Sequence, residues 1–371
     1  KNEQAEIEGK IAHLEETLKN VVLIDEKKTS KDLLKAVQDG KRIIVTTLQK
    51  FPVIYDLVGD TAGKSFAVIV DEAHSSQTGD SAMKLKMALA DTTEALAEYA
   101  ELEGKAAVAY IAVADMAKAK WDVWSVKADD SYKTSDSYRT PSEVYEEVEC
   151  PVVINGGYFF YEGANYTSSL AVSNGNLLAY NINYASEDWV TVYSPTRAAF
   201  LQKKDGTFDA CWTYWTGPKH YTYQIPADNS YDEAPKQVPS DSYPEKAAEF
   251  EAQTAIGGGP VLINAGKYAN TWSEEMFDVG GVNPTSNNPR TAIGVTAEKK
   301  LVFFVCEGRN QTEGVAGLTT EDLANVLMDL GCVEAINLDG GGSSCMLVNG
   351  KETIKVSDGS QRAVASTVMI M

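Results

Sequence analysis

The pattern of hydrophobic and polar positions changes twice along the chain. Over residues 1–20, apolar residues recur at alternating spacings of four and three with charged residues between them: Ile7, Ile11, Leu14 and Leu18. This spacing predicts an amphipathic helix. Since the repeat fills only two heptads, both a helix packed on its own domain and a short coiled coil fit it.

Residues 21–105 alternate short, wholly apolar runs with helical patterns. The apolar runs suit strands buried on both faces of a sheet, and they are Val21–Ile24, Ile43–Val45 and Phe66–Val70. The helical patterns are Lys31–Asp39 and residues 81–102, each followed closely by a glycine, which is common just past a helix C-terminus. The alternation predicts part of a parallel α/β sheet.

Residues 106–371 contain many short strand-like runs separated by Gly, Asn, Asp and Pro turns. One clear helix is predicted at Glu321–Leu330, introduced by Thr319 and closed by Gly331. The polar, proline-containing stretch Asp228–Glu249 is predicted to be an insertion or a mobile loop. The fold class is therefore α+β: a mixed-sheet domain that follows a short helix and a partial parallel α/β segment.

The charge of the chain excludes some functions. It carries 33 Lys and Arg against 53 Asp and Glu, a formal net charge of −20. We therefore expect no general affinity for nucleic acids or anionic membranes. Since no stretch approaches the ~18 consecutive apolar residues that can cross a bilayer, we also expect no transmembrane segment.

The cysteines show no metal-ligand spacing. They are Cys150, Cys211, Cys306, Cys332 and Cys345. Cys306 and Cys345 lie in apolar, strand-like surroundings, which favours buried, inert thiols. We expect no required cofactor and name no metal ligand; the acid-rich glycine turns leave a structural divalent cation open, with no ligand set spaced clearly enough to name.

A DEAH sequence, Asp71-Glu72-Ala73-His74, directly follows the predicted strand at Phe66–Val70. In ATP-driven helicases, an Asp at this place holds Mg²⁺ and the adjacent Glu orients the attacking water. Together with residues 42–51 and 70–79, the segment resembles the helicase motor of type I restriction enzyme R subunits over about residues 22–104. The resemblance implies a partial, RecA-like α/β segment within residues 21–105.

The phosphate-binding loop that such a motor needs is not predicted here. The nearest candidate, Gly59–Ser65, has three residues between its glycines where the motif requires four. It also leads into a strand, so no helix N-terminus follows to receive phosphate. We expect this segment to be inactive, and to pack on the C-terminal domain or be poorly ordered; whether it is a natural fusion or part of a composite stays open.

Four glycine-rich blocks each lie beside an apolar run in the C-terminal region. They are Asn155–Phe159, Ile256–Leu262, Pro289–Val295 and Asn337–Ser344. Such glycines let a backbone approach a ligand closely and direct consecutive N–H groups at an anion. Each block taken singly is more typical of a β-bulge or a tight turn than of a binding site.

In order and spacing, the four blocks and Glu307-Gly308-Arg309 resemble the phosphodiester glycosidase family over about residues 106–371. This family includes the enzyme that removes N-acetylglucosamine from masked mannose 6-phosphate. The resemblance implies hydrolysis of a sugar-1-phosphodiester, a glycan substrate, and an extracellular, periplasmic or cell-envelope location. Family members often carry Asp where this chain has Glu307, which keeps the carboxylate on a longer arm.

The chemistry of this reaction indicates which side chains to seek. Breaking the sugar C1–O bond develops positive charge on the ring and negative charge on the departing phosphate. A carboxylate must then face the anomeric carbon, and cations must hold the phosphate. Asp339, at the end of an apolar run, is our first candidate for nucleophile or base, and Glu307 is the second. Arg290 and Arg309 are the phosphate candidates, because guanidinium binds phosphate through two parallel hydrogen bonds.

Further residues of the blocks are candidates for contacting sugar or phosphate. They are Asn155, Gly157, Gly258, Gly259, Thr291, Arg309, Gly341, Ser343 and Ser344. Other uses stay open: Arg290 could pair with Asp278, and Asp339 could cap the glycine turn that follows it. The serines have no convincing histidine partner, since His220 lies in a tyrosine-rich stretch and is expected on the surface or in an aromatic cluster.

Two alternative functions fit parts of the sequence. A non-catalytic module that binds a glycan or phosphosugar would use the same blocks without the reaction. It would be favoured if Asp339 and Glu307 faced away from Arg290. A remnant of an ATP-dependent restriction-enzyme motor would require the phosphate-binding loop that residues 59–65 do not supply.

Overall fold

The computed structural model describes residues 107–129, 131–160, 166–277 and 282–371 in full, and the backbone of residues 105 and 106. It also describes the backbone of residues 21–24, 43–46 and 95–102, and the positions of Lys31 and Lys35. The chain forms two compact units, Lys1–Asp91 and Thr92–Met371.

The first unit contains a pair of parallel strands, β1 (Val21–Ile24) and β2 (Ile43–Thr46), in which Val21 pairs with Ile43. The two strand predictions and their parallel pairing are confirmed. Lys31 and Lys35, in the connection between them, are helical. The predicted helix over residues 1–20, the strand at residues 66–70, the DEAH sequence and residues 59–65 lie outside the described residues.

The second unit is built mainly of strands. In chain order, its strands are β3 Ala95–Leu102, β4 Lys105–Asp115, β5 Trp121–Ser125, β6 Val152–Asn155, β7 Ala171–Ser173, β8 Asn176–Ala179, β9 Arg197–Gln202, β10 Phe208–Trp215, β11 His220–Tyr223, β12 Ala248–Glu249, β13 Thr254–Gly257, β14 Val261–Asn264, β15 Lys267–Tyr268, β16 Arg290–Thr296, β17 Lys300–Cys306, β18 Cys332–Asn337, β19 Met346–Val348, β20 Lys351–Glu352 and β21 Ser366–Ile370. Two helices, α1 (Pro141–Val148) and α2 (Thr320–Asp329), complete the described elements.

The described strands of this unit form three antiparallel sheets. The first has the order β15-β14-β18-β16-β17-β4-β3. The second has the order β12-β11-β10-β9-β13-β7-β8. The third has the order β20-β19-β6-β21-β5. The α+β class is thereby confirmed, but the mixed sheet that we expected is not found among the described strands of this unit, whose pairs are antiparallel. Short connections join neighbouring strands as hairpins, which parallel pairs cannot use.

The core lies between these sheets because their central strands are mainly apolar between polar end residues. Strands β6, β16 and β17 are buried at all or nearly all positions. One core cluster takes Ile154 from the third sheet, Phe200 from the second, and Phe303 and Ile336 from the first. The polar residues at the ends of these strands are thereby held on a rigid scaffold.

The predicted C-terminal helix is confirmed as α2. The Thr319 side chain accepts from the Asp322 amide, and the Asp322 side chain accepts from the Thr319 amide, which forms a capping box. Gly331 follows with a positive φ of 79°, a conformation that glycine adopts without strain. Leu323, Ala324 and Leu327 form the buried face of this helix.

Our expectation of a single helix in this region was wrong, because α1 also forms. Its sequence signal is the capping box between Thr140 and Glu143, with Pro141 at the first helical position. The helix has only eight residues, too few for the apolar periodicity to be read over a normal window.

The prediction of a helix over residues 81–102 was wrong for residues 95–102. Ala95–Leu102 forms β3, which pairs antiparallel with β4 from Ala95 and Ala112 to Leu102 and Lys105. Alanine, leucine and glutamate favour helices only by tenths of a kcal/mol per residue. Pairing along an available sheet edge outweighs a preference of that size.

Three further predictions concern the loop at Asp228–Glu249, the cysteines and the absence of a transmembrane helix. Asp228–Glu249 is irregular up to β12 at its end, as predicted for a loop. The five cysteines are buried and free, and burial raises the pKa of the Cys306 and Cys345 thiols to about 12. Among the described residues, none of the helices has the length and apolar character needed to cross a bilayer.

Candidate active site

The ends of three strands meet at the buried side chain of Asn155. Its Nδ2 donates to the carbonyl oxygen of Asp339 at 2.7 Å. Its Oδ1 accepts from Thr291 Oγ1 at 2.8 Å and from the Cys345 amide at 3.1 Å. A buried amide side chain needs such partners. Asn155 therefore joins three of the four glycine-rich blocks, and its observed contacts are to protein.

The amides of the four predicted glycines also donate to protein acceptors. The Gly157 amide donates to Ser366 Oγ at 3.1 Å, and the Gly341 amide to the Pro289 carbonyl at 2.9 Å. The Gly258 amide donates to the Ala198 carbonyl at 3.3 Å, and the Gly259 amide donates to the backbone carbonyl of Asn337 at 2.8 Å. These amides hold the blocks together, which differs from the ligand contacts that we expected of them.

Asp339 lies two residues after the end of β18 and two residues before a short 3-10 turn at Gly341–Ser343. Its Oδ1 accepts from the Gly340 amide at 2.9 Å, and the nearby Ser343 hydroxyl favours its charged form. Asp339 is therefore hydrogen-bonded to Gly340, but the 3-10 turn has no side-chain cap, so the capping alternative is met only by this one contact. The contact leaves room for chemistry, because the residue as a whole is only partly buried.

The environment of Asp339 shifts its acidity. Burial raises the pKa of the Asp339 carboxyl to about 6, and the Ser343 hydroxyl, Arg362, the Gly340 amide and Arg309 oppose that rise. Burial disfavours the charged form, whereas donors and cations favour it. A carboxyl with a pKa near 6 exchanges its proton close to neutral pH, which is useful in acid–base or nucleophilic catalysis.

Two arginines lie on the exposed side of the Asp339 turn. Arg309 Nη1 contacts Ser357 Oγ at 3.3 Å and Asp358 Oδ1 at 3.6 Å. Arg362 Nη1 donates to Ser343 Oγ at 3.3 Å, and its Nη2 contacts Asp358 Oδ2 at 2.5 Å. Ser343, Arg362 and the predicted Arg309 therefore all lie close enough to the predicted carboxylate to influence its pKa.

Arg290 has a different environment from the one we expected. Its side chain is 2% exposed, and its nitrogens donate to four backbone carbonyls: Leu318 at 2.9 Å, Val282 at 3.2 Å, Asn283 at 2.8 Å and Ser286 at 2.9 Å. Burial lowers the pKa of the guanidinium. These contacts favour a structural role, in which Arg290 fixes the loop before β16.

Glu307 is also engaged within the protein. It is 4% exposed, and its two oxygens accept from Thr312 Oγ1 at 2.6 Å and from the Lys355 amide at 2.8 Å. Because Arg309 is two residues further along, these contacts anchor the backbone that carries Arg309. A positioning role for Glu307 fits this geometry better than contact with substrate.

The predicted hydroxyl residues divide between the interior and the site. Thr291 is fully buried and contacts Ser344 Oγ at 3.2 Å, behind the turn. Ser343 lies at the turn itself, between Asp339 and Arg362. Ser343 is therefore the hydroxyl that the structure brings to the candidate carboxylate.

Sequence reasoning missed four residues of this region. They are Tyr158, Asn337, Asp358 and Arg362. The Tyr158 hydroxyl donates to the Gly259 carbonyl at 2.5 Å and accepts from Asn337 Nδ2 at 2.7 Å. Tyr158 lies in the block Asn155–Phe159 and Asn337 in the block Asn337–Ser344, so both residues could have been proposed from the glycine-rich blocks themselves. The signal for Arg362 was weaker: a cation just before the last apolar strand of an acidic chain.

The His220 prediction is confirmed. Its ring stacks on Phe250 with centroids 4.0 Å apart and lies 5.8 Å from the Tyr180 ring. Burial lowers the pKa of His220 to about 4, so this imidazole is neutral at physiological pH. In the described part of the chain, groups of three His, Cys, Asp or Glu side chains arranged to hold a metal ion are absent.

Comparison with known proteins gives two family matches. The model of the phosphodiester glycosidase family matches residues 149–371. The model of the SWI2/SNF2 ATPases matches residues 5–95, which agrees with the resemblance of that segment to a helicase motor.

Individual proteins are similar over shorter stretches. The SPbeta prophage-derived uncharacterized protein YomE of Bacillus subtilis (strain 168) is 40% identical over 83 residues, 22% of this chain and 13% of that protein. The N-acetylglucosamine-1-phosphodiester alpha-N-acetylglucosaminidase of Homo sapiens is 33% identical over 97 residues, 26% of this chain and 18% of that protein. The matches thus cover less than a fifth of these curated relatives.

Among solved structures, the catalytic domain of the zebrafish N-acetylglucosamine-1-phosphodiester alpha-N-acetylglucosaminidase, auto-inhibited by its pro-peptide, shares the fold. The TM-score is 0.51 at 19% sequence identity, covering 75% of this chain and 82% of that one. With a family model that matches more than half of the sequence, this chain belongs to the phosphodiester glycosidase family.

Proposed function

We propose that residues 106–371 hydrolyse the C1–O bond of a sugar-1-phosphodiester. The observation that carries this proposal is the position of Asp339, a partly buried carboxylate with a pKa of about 6 beside two arginines. Membership of the phosphodiester glycosidase family supports it. The proposed domain division is a helical segment at residues 1–20, an inactive motor-like segment at 21–105, and this enzyme domain.

In the proposed reaction, Asp339 acts on the sugar side of the scissile bond. As an ionised carboxylate it either attacks the anomeric carbon or takes a proton from the attacking water. The bond between C1 and the phosphate oxygen breaks, its electron pair leaves with the phosphate, and water supplies the new hydroxyl. Arg309 holds the phosphate oxygens through charge-assisted hydrogen bonds, and Ser343 orients the carboxylate.

The names of the relatives suggest N-acetylglucosamine-1-phosphodiesters as the first substrates to test. We propose an extracellular, periplasmic or cell-envelope location, where phosphate-linked glycans would be accessible.

The decisive experiment locates the broken bond. The purified chain would be incubated with N-acetylglucosamine-1-phospho-6-mannose, and with UDP- and methyl-phosphate analogues, in isotopically labelled water. Label in the released sugar is expected, because C1–O cleavage adds water oxygen to the anomeric carbon. Label in the phosphate instead would show P–O cleavage and would overturn the proposal.

The Asp339→Asn variant is the matched control for this assay, since it keeps the shape of the side chain and removes its charge. Loss of sugar release in a folded variant is expected. If neither protein releases sugar from any donor but both bind phosphosugars, the domain is a binding module.

A further inference from the structure

The carboxylate of Asp358 lies between the guanidinium groups of Arg309 and Arg362. Its Oδ1 is 3.6 Å from Arg309 Nη1, and its Oδ2 is 2.5 Å from Arg362 Nη2. Arg309, Arg362 and Asp358 remain 46%, 21% and 34% exposed in their side chains. A ligand can therefore reach this cluster without opening the core.

The cluster is fixed against the Asp339 turn. A Cβ added at Gly342 would collide with both Arg362 Nη2 and Asp358 Oδ2, and one at Gly341 would be 2.7 Å from Arg309 Nη2. The ion pairs consequently lie directly on the backbone of the turn that carries Asp339. Ser343, four residues after Asp339 on this turn, accepts from Arg362 Nη1 at 3.3 Å.

We propose that Arg309 and Arg362 form the phosphate subsite, and that Asp358 sets its net charge so that a phosphodiester binds in preference to a phosphomonoester. This inference rests on the proposed function, since it assigns the group that confers selectivity at the same site. Arg309 was already a phosphate candidate; Arg362 and the selectivity of Asp358 are new.

The selectivity follows from counting charges. Within the subsite, two guanidinium groups and one carboxylate leave a net charge of +1, and the ionised Asp339 beside it makes the surroundings still less favourable for a second negative charge on the ligand. A monoester carries nearly two negative charges at neutral pH, so it overcompensates the subsite and is repelled more strongly by Asp358. Because a Coulomb energy is proportional to the ligand charge, Asp358 opposes a dianion with twice the free energy it exerts on a monoanion.

The test measures binding with ligands that cannot be cleaved. The probes are the C-glycosyl phosphonate of N-acetylglucosamine and its monomethyl ester, in which CH₂ replaces the scissile oxygen. At an alkaline pH the first is a dianion and the second a monoanion. Calorimetric titration would compare the full chain with its Asp358→Asn variant, with circular dichroism to confirm folding.

We expect Asp358→Asn to tighten the Kd of the dianion by about ten-fold and that of the monoanion by about three-fold, because doubling the free energy squares the fold-change. Asp358→Glu, which keeps the charge, should retain the parent selectivity. Glu251→Gln removes a charge from an exposed pair with Lys204 and should change neither ligand. Arg362→Gln should weaken both ligands.

Equal tightening of the two ligands by Asp358→Asn, or no change in either, would overturn the selectivity role. No binding by the parent chain, or unaltered binding by Arg362→Gln, would overturn the subsite itself. Charge-selective binding without sugar release in the labelled-water assay would leave this inference standing and overturn the hydrolytic function alone.

Discussion

Asp339 and Glu275 are two of the carboxylates in the second unit with strongly raised pKa values, and their surroundings differ. Burial raises the pKa of Asp339 to about 6 and that of Glu275 to about 7. Glu275 is fully buried and accepts from the Val261 amide at 2.8 Å, the Ala198 amide at 2.9 Å, Thr271 Oγ1 at 2.8 Å and Trp212 Nε1 at 3.1 Å. Asp339 is partly exposed and faces arginines.

The difference shows that a raised pKa does not by itself identify a catalytic group. Structural carboxylates are perturbed by the same burial as catalytic ones. Glu275 binds the start of β14 through Val261 and the start of β9 through Ala198, so its role is to fix the glycine block at residues 256–262. Access to solvent and nearby cations are what distinguish Asp339.

The substitution Asp339→Asn should distinguish the two carboxylates most clearly, because it should affect catalysis without lowering stability. We expect kcat/KM for a sugar-1-phosphodiester to fall by about a thousand-fold or more, equivalent to about 4 kcal/mol of transition-state stabilisation. The free energy of unfolding at neutral pH should not fall, because burial disfavours the ionised form of Asp339 in the folded protein and the neutral Asn removes that cost. Steady-state kinetics and urea unfolding together measure both quantities. A large loss of stability would place Asp339 with Glu275 as a structural carboxylate.

Glu275 should instead control how stability depends on pH. The folded protein keeps the Glu275 proton up to about pH 7, whereas an ordinary glutamate loses it near 4.5. Its contribution to stability is therefore complete below pH 4.5 and is lost as the pH rises towards 7, by about 3 kcal/mol in total. Urea unfolding across this range should show the loss.

The matched control is Glu275→Gln, which cannot titrate. Its stability should lack this part of the pH dependence, although the amide also costs about 2 kcal/mol because one of its N–H groups must face a backbone donor. An unchanged pH dependence in the variant would show that other groups cause it. Glu334, whose pKa burial also raises to about 7, is then the next candidate.

The sequence located one of these two regions much better than the other. Asp339 was identifiable because an apolar strand ends at it and a glycine turn follows, so local pattern and local chemistry coincide. Glu275 lies in an irregular stretch, and its partners come from residues 198, 212, 261 and 271. Only the packing of separate strands brings those groups together, so no local pattern could reveal it.

The arginines also differ in ways that the sequence does not reveal. Arg290 and Arg309 looked alike in sequence, each beside a strand and a glycine block. The side chain of Arg290 turns inward to carbonyls of its own loop, whereas that of Arg309 stays 46% exposed beside the turn. Arg362 reaches Ser343 across 19 residues of chain. Side-chain direction and long-range contact are tertiary properties, which neither spacing nor composition specifies.

The smallest expected effect is a shift in the pH profile of activity, which tests whether the arginines lower the pKa of Asp339. If Asp339 acts as nucleophile or base, kcat/KM rises with pH through about 6, the pKa of that carboxyl in the free enzyme. Arg362 lowers this pKa by its positive charge, so Arg362→Gln should move the midpoint of the pH profile upward, by about half a unit to one unit.

Glu275→Gln is the control variant. The Glu275 carboxyl titrates inside the core, so the midpoint of the pH profile should stay in place when it is replaced. A midpoint that moves with Glu275 and not with Arg362 would reverse the assignment of the two carboxylates. Activity that falls with pH through 6 would instead show that Asp339 works in its protonated form, as a general acid.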